Sequence, residues 1–171
     1  RAVDGVKAVS HMSWFGGIYI DRKNFFANFA VDPKSFLDLY PEFKLPPAQK
    51  QAWLADRQGA IVGESLARRH GWKIGDTFYL ESFIPPHRKP DGPFEFVVRG
   101  IFDTDPVKYS GTDTNVMLFH FKYLYEATGR NVGAGYYFVE IDDPANAGAV
   151  SKAVDALFEN SDAQTRTETE K

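Results

Sequence analysis

A chain of 171 residues, 43% hydrophobic and 15% aromatic, can fold around its own core and bury roughly 70% of its unfolded surface, which excludes general disorder. Its formal net charge of −3, with no run of five or six like charges, argues against nucleic acid as the main partner, which would need a basic stripe. The lack of cysteine excludes disulfides, thiol nucleophiles and thiolate metal sites.

Val3 to His11 alternates loosely and reads as a strand. Trp14-Phe15-Gly16-Gly17 makes a tight turn flanked by aromatics, Ile18-Tyr19-Ile20 a second strand and Phe25 to Val31 a third. Asp32-Pro33 opens a helix, with Asp as N-cap and Pro at N1, where its missing N–H costs nothing. Phe36, Leu37 and Tyr40 form its apolar face, and Pro41 ends it. Pro46-Pro47 opens the next helix, Ala48 to Asp56, with Trp53 and Leu54 as bulky contacts.

Ala60-Ile61-Val62 is a short buried strand that runs into a helix, Glu64 to His70. Leu66, Ala67 and His70 face inward there, and Gly71 stops the helix as a C′ residue. Gly75-Asp76 is a turn. Thr77 to Glu81 and Phe94 to Phe102 alternate with period two and read as strands. Between them, Pro85 to Pro93 is too proline-rich for regular structure and belongs on the surface. Thr104 to Asp113 is a second loop. Asn115 to His120 is a strand, Phe121 to Thr128 a helix ended by Gly129, and Tyr136 to Asp142 a strand.

Asp143-Pro144 repeats the cap pattern before a helix to Glu159, whose stripe is Ala147, Val150, Val154, Leu157 and Phe158. Thr165, Thr167 and Thr169 alternate with charged residues and predict an exposed strand or a leader into the next element. No apolar run approaches the ~18 residues of a membrane span, and no signal peptide is visible at Arg1. The chain starts without methionine and stops in mid-pattern at Lys171, as a segment cut from a longer protein would.

Motifs for chemistry are few. Gly59 to Ser65 looks like a phosphate loop, but its glycines are one position too close, and Glu64 stands where a lysine should meet phosphate. His11, His70, His87 and His120 show no local zinc spacing. His11 and His120 both fall on expected strands and could share a metal or acid–base role; the alternative is ordinary hydrogen-bonded histidine. Asp103, Asp105 and Asp113 lack calcium-loop spacing. Ser65 and Ser110 have no local triad partners and no hydrolase elbow. No cofactor or metal is expected.

Two stretches are candidates for interaction. Trp14 and Phe15 sit at a glycine turn, either exposed as a contact patch or folded back onto the core. The proline-rich loop offers His87, Arg88 and Lys89.

Several spaced elements carry a family resemblance: Val62, Glu64-Ser65, Leu66-Ala67, Gly71-Trp72-Lys73-Ile74-Gly75-Asp76 and Val98-Arg99-Gly100-Ile101-Phe102-Asp103. Together they resemble the periplasmic core domain of MacB-type ABC transporter permeases, a group that includes the lipoprotein-release permeases and the cell-division permease FtsX. Ser13 to Tyr19, the Val31-Asp32-Pro33 helix entry and, at the end, Ala153 to Phe158, Asn160-Ser161 and Thr165 to Lys171 extend the likeness over nearly the whole chain. The resemblance implies an α+β fold: a porter-like βαβ subdomain from both chain ends, 1–57 and 112–171, around a small inserted αβ (Sabre-like) subdomain, 58–111.

It also implies a non-catalytic, extracytoplasmic domain of an inner-membrane permease. Such a domain couples ATP-driven motion of the membrane helices to a substrate or partner outside. The implied partners are its own membrane helices, a second permease protomer, a cytoplasmic ATPase acting indirectly, and a periplasmic protein or substrate. The competing expectation is a stand-alone α+β enzyme with a site near His11, His120 and Asp103.

Overall fold

The structure is a computed structural model that describes residues 3–105 and 112–169. Ser110, most of the loop from Thr104 to Asp113 and the last two residues of the threonine-rich tail lie outside the described residues.

In chain order the elements are β1 (Val6–Trp14), β2 (Gly17–Ile18), β3 (Ala27–Val31), α1 (Pro33–Leu39), α2 (Pro47–Ala55), β4 (Gly59–Gly63) and α3 (Glu64–His70). There follow β5 (Thr77–Ser82), β6 (Phe94–Phe102), β7 (Val116–His120), α4 (Phe121–Ala127), β8 (Tyr136–Ile141) and α5 (Ala147–Phe158). The sheet is mixed, in the order β2-β5-β6-β4-β7-β3-β1-β8. Strands β4/β6 and β3/β7 run parallel; β4/β7, β5/β6, β1/β3 and β2/β5 run antiparallel. The mixed α+β class expected from the sequence is the one found.

The chain divides into two compact units. One runs from Ser10 to Tyr137; the other joins the residues up to Val9 with those from Phe138 onward. Residues 58–111 supply β4, β5 and β6, and β4 pairs with β7.

Within the Ser10–Tyr137 unit the central strands are covered on both faces. Every residue of β4 and β7 is buried. Because side chains alternate along a strand, Ala60, Val62, Met117 and Phe119 join one cluster with Leu66, Ala67 and Leu124 of α3 and α4. Ile61, Val116 and Leu118 join a second cluster with Phe36, Leu37 and Trp53 of α1 and α2. Helices on both faces explain why these strands read as unbroken apolar runs.

Strand β6 departs from the simple alternation. Ala60 lies opposite Val98, but Ile61 lies opposite Gly100, so Arg99 is an extra residue, a β-bulge. Phe94, Phe96 and Val98 therefore face the first cluster, whereas Phe102 faces the second. The bulged Arg99 turns its Nε to Asp56 Oδ2 at 2.8 Å, beyond the end of α2.

The local signals for helix ends hold. Asp32 accepts the N–H of Ser35 at 3.0 Å, with Pro33 at the first helical position of α1. Gly71 closes α3 at φ +68°, in the left-handed region. Asp143 caps a one-turn 3-10 helix, Pro144–Asn146, immediately before α5.

Two expectations are corrected. The second strand is only Gly17–Ile18, because Asp21 N–H bonds back to the Tyr19 carbonyl at 2.7 Å and Ile20 takes φ +64°. The threonine-rich tail forms no strand among its described residues, up to Thr169. Instead, the Thr165 and Thr167 hydroxyls donate to Asp155 Oδ1 at 3.2 and 2.6 Å, within the unit that holds α5.

Two glycines make opposite predictions. A Cβ on Gly63 would lie 1.9 Å from the Thr114 carbonyl oxygen, a backbone atom that cannot step aside. Gly63→Ala should cost about 2 kcal/mol or more. Gly148, inside α5, has open space around its missing Cβ. Gly148→Ala should stabilise by roughly 0.5–1 kcal/mol through helix propensity. Urea unfolding of the two variants beside the parent checks both signs.

Candidate functional site

The turn after β1 sends adjacent aromatics in opposite directions. Phe15 is fully buried, with its ring edge-on to Phe94 and Phe119 at centroid distances of 5.0 Å each. Trp14 remains 40% exposed. Phe15 is thus removed from the interaction candidates: its ring fills the core among phenylalanines of β6 and β7. Trp14 keeps its place among them.

The turn is held by two buried polar side chains. The Asn28 amide donates to the carbonyls of Gly17 (2.9 Å) and Phe26 (2.8 Å), and its Oδ1 accepts the Gly17 N–H at 2.8 Å. Ser82 Oγ donates to the Phe15 carbonyl at 2.7 Å and accepts the Ile84 N–H at 3.0 Å. Glycine is required at both central positions. Gly16 has φ +65°, and a Cβ on Gly17 would lie 2.6 Å from the Phe15 ring.

The residues of the proline-rich loop brace this turn. His87 Nδ1 lies 3.2 Å from the Phe15 carbonyl, and Arg88 Nε donates to the Ser82 carbonyl at 2.9 Å. Lys89 pairs with Asp91 at 3.3 Å and lies 5.7 Å from the centroid of the Phe94 ring.

Beside the turn lies an open concavity of about 380 Å³, lined by Trp14, Ile18, Arg22, Phe25 and Phe83. Trp14 meets Phe83 edge-on at 5.4 Å and Phe25 at 6.4 Å, so three half-exposed rings form its walls. Arg22 comes from a short 3-10 turn, Arg22–Asn24, whose start is capped by the Asp21 carboxylate. Sequence reading found Trp14 alone. Phe25 and Phe83 arrive from an extended lead-in to β3 and from the end of β5, and no local spacing ties them to Trp14.

The residues of the enzyme expectation divide. Val31 lies opposite both Met12 and His120, which brings Asp32 beside His11 and His120. Burial pushes the Asp32 carboxyl up. The Ser35 hydroxyl and N–H, with the charges of His11 and His120, outweigh it and hold Asp32 below the ordinary aspartate value. His120 is buried, with Nε2 2.7 Å from the Trp53 carbonyl; His11 packs edge-on to Phe121 at 4.8 Å. Asp103 is elsewhere. It forms a backbone bridge with Lys44, and its carboxylate caps the Thr104 N–H. The structure does not gather His11, His120 and Asp103 around one centre, and no group of three metal-ligating side chains occurs among the described residues.

The family described as MacB-like periplasmic core domain matches residues 1–157. The chain belongs to that family. Similar solved structures are domains of transporters and permeases. The extracellular domain of the noncanonic ABC-type transporter YknZ from Gram-positive bacteria is 13% identical, with a TM-score of 0.66 over 96% of this chain and 80% of that one. A domain of a permease protein from Porphyromonas gingivalis is 18% identical, with a TM-score of 0.58 over 94% and 67%. The periplasmic region of MacB from Actinobacillus actinomycetemcomitans is 13% identical, with a TM-score of 0.56 over 92% and 68%. At these identities the likeness is one of fold. None of the curated proteins compared matches the sequence significantly. The MacB-like domain is thus the periplasmic core domain of an ABC transporter permease, and no helix among its described residues is long and apolar enough to cross a membrane.

Trp14 and Phe15 give a paired prediction. Phe15→Ala should cost about 3–5 kcal/mol, as loss of a fully buried ring does. Trp14→Ala should cost far less, about 1 kcal/mol, because its ring keeps one face in water. Parallel denaturant melts check the contrast.

A second prediction concerns pH. Burial, helped by Arg69, holds His70 below the ordinary histidine value, and its Nε2 is buried without a hydrogen-bond partner. Burial also lowers His120, against the opposing pull of the Trp53 carbonyl and nearby carboxylates. Both folded pKa values are depressed, so the fold favours neutral histidine. Stability should be complete above about pH 6.5 and decline as pH falls below it. Tm measured from pH 7.5 to 5.5 should fall, and His70→Phe, which keeps a ring against Trp72, should flatten that fall.

Proposed function

We propose that this domain is the non-catalytic, extracytoplasmic part of an inner-membrane ABC transporter permease, and that it carries ATP-driven motion of the membrane helices to a substrate or partner outside. The family match across residues 1–157 is the observation that carries this reading. The proposed partners are the protein's own membrane helices, a second permease protomer, a cytoplasmic ATPase acting through the helices, and a periplasmic protein or substrate. The Trp14 cleft is the proposed contact on that outer side, since it combines exposed rings with a rigidly held backbone. The division into a porter-like subdomain, 1–57 with 112–171, around an inserted Sabre-like αβ subdomain, 58–111, belongs to the same proposal.

These 171 residues hold no cysteine, so a label that appears with one introduced here, and is absent from the parent treated in parallel, reports on this domain. Arg69→Cys, on the exposed side of α3, is introduced into the complete permease. A membrane-impermeant maleimide should label it in intact cells. Labelling only after lysis would place the domain in the cytoplasm and end the proposal.

A further inference from the structure

The cleft has apolar walls and one cation. Trp14, Ile18, Phe25 and Phe83 supply the walls, and Arg22 supplies the charge. A volume of about 380 Å³ lies within the range of small-ligand sites, about 300 to 1,000 Å³.

Among the described residues no carboxylate forms an ion pair with Arg22. Its neighbour Asp21 uses Oδ1 on the backbone N–H groups of Lys23 and Asn24 and on the Asn24 amide. Glu81 faces Ile18 across the β2/β5 pair, but it does not line the cleft and is not bonded to Arg22. The guanidinium is therefore free to present its planar fork of donors, the geometry that a carboxylate accepts in two parallel bonds. Three rings set at steep angles cannot stack on one flat face of a ligand, but they enclose a chain or small ring from several sides.

We propose that the cleft binds an anionic amphiphile, with its apolar tail against Trp14, Phe25 and Phe83 and its carboxylate on Arg22. This deepens the reading of the cleft as the outer contact, and rests on it. Charge selects the ligand class: a cationic amphiphile would meet the like charge of Arg22, whereas a neutral one would gain the walls alone.

The tryptophans supply a readout. Trp53 and Trp72 are buried, at 0% and 8% exposure, whereas Trp14 is 40% exposed, so ligand-induced change in emission reports on the cleft. Decanoate titrated into the 171-residue chain should give a saturable emission shift. Calorimetry should show decyltrimethylammonium binding at least about tenfold more weakly, as loss of a charge-assisted hydrogen bond implies. Arg22→Gln should weaken decanoate about tenfold and leave decanol unchanged, while Phe83→Ala weakens both. Arg22 is exposed, so an unchanged thermal melt of Arg22→Gln certifies the fold. Three results would each overturn the proposal: no saturable decanoate binding, equal affinity for the cationic amphiphile, or an Arg22→Gln variant that binds decanoate normally. If decanoate fails while Arg69→Cys labels from outside, the ligand assignment falls and the transporter reading stands. A cytoplasmic label removes the transporter reading whatever decanoate does.

Discussion

The buried carboxamide of Asn28 is the interaction on which the rest of the turn and its cleft depends. It stands at 0% exposure and uses both of its ends on backbone groups, two of them on Gly17. A buried amide left unmatched costs about 1–3 kcal/mol for each lost partner, so the clamp is strong because it is complete. It fixes where β1 stops, and thereby which ring goes inward. Phe15 then joins the phenylalanines of β6 and β7, and Trp14 is left outside as the wall of a cleft. Ser82 holds the same turn from the β5 side, so the two strands that flank the cleft are tied to one short piece of backbone.

Around that turn, burial on both faces of β4 and β7 organises the Ser10–Tyr137 unit. Each strand feeds two clusters, one under α1 and α2, the other under α3 and α4. The bulge at Arg99 lets β6 serve both clusters as well. Without that extra residue Phe102 would point with Phe96 and Val98, and the cluster around Trp53 would lose its aromatic lid.

Much of this was legible in the sequence. The Asp32-Pro33 and Asp143-Pro144 starts and the Gly71 stop follow from backbone groups that need local partners, so local spacing reveals them. The bulge was not legible. Residues 94 to 102 are buried at every even position on both sides of Arg99, because the second cluster receives Phe102 just as the first receives Phe96. The short β2 was hidden for a related reason. Ile18-Tyr19-Ile20 has strand composition, but the turn to Asp21 and the packing of Tyr19 on His70 and Trp72 override it. The site was half visible. An aromatic pair at two glycines marks a turn, but which ring is buried depends on Asn28, thirteen residues after Phe15. Phe83 and Arg22 come to Trp14 only through β2, β5 and the turn between β2 and β3.

The pairing of β3 with β7 has a consequence for the order of folding. Ala27 lies opposite Val116, and β4 pairs only with strands that follow it in the chain, β6 and β7. An N-terminal portion ending before residue 116 therefore carries two central strands without one of their neighbours. Contacts of such long sequence separation form slowly, since the intervening loop must close before any pairing rewards it. During synthesis, β3 and β4 remain open apolar edges until β7 emerges. The strand that completes the sheet is thus also a checkpoint in time: the interval before it appears is when this chain is most exposed to aggregation and most in need of a chaperone.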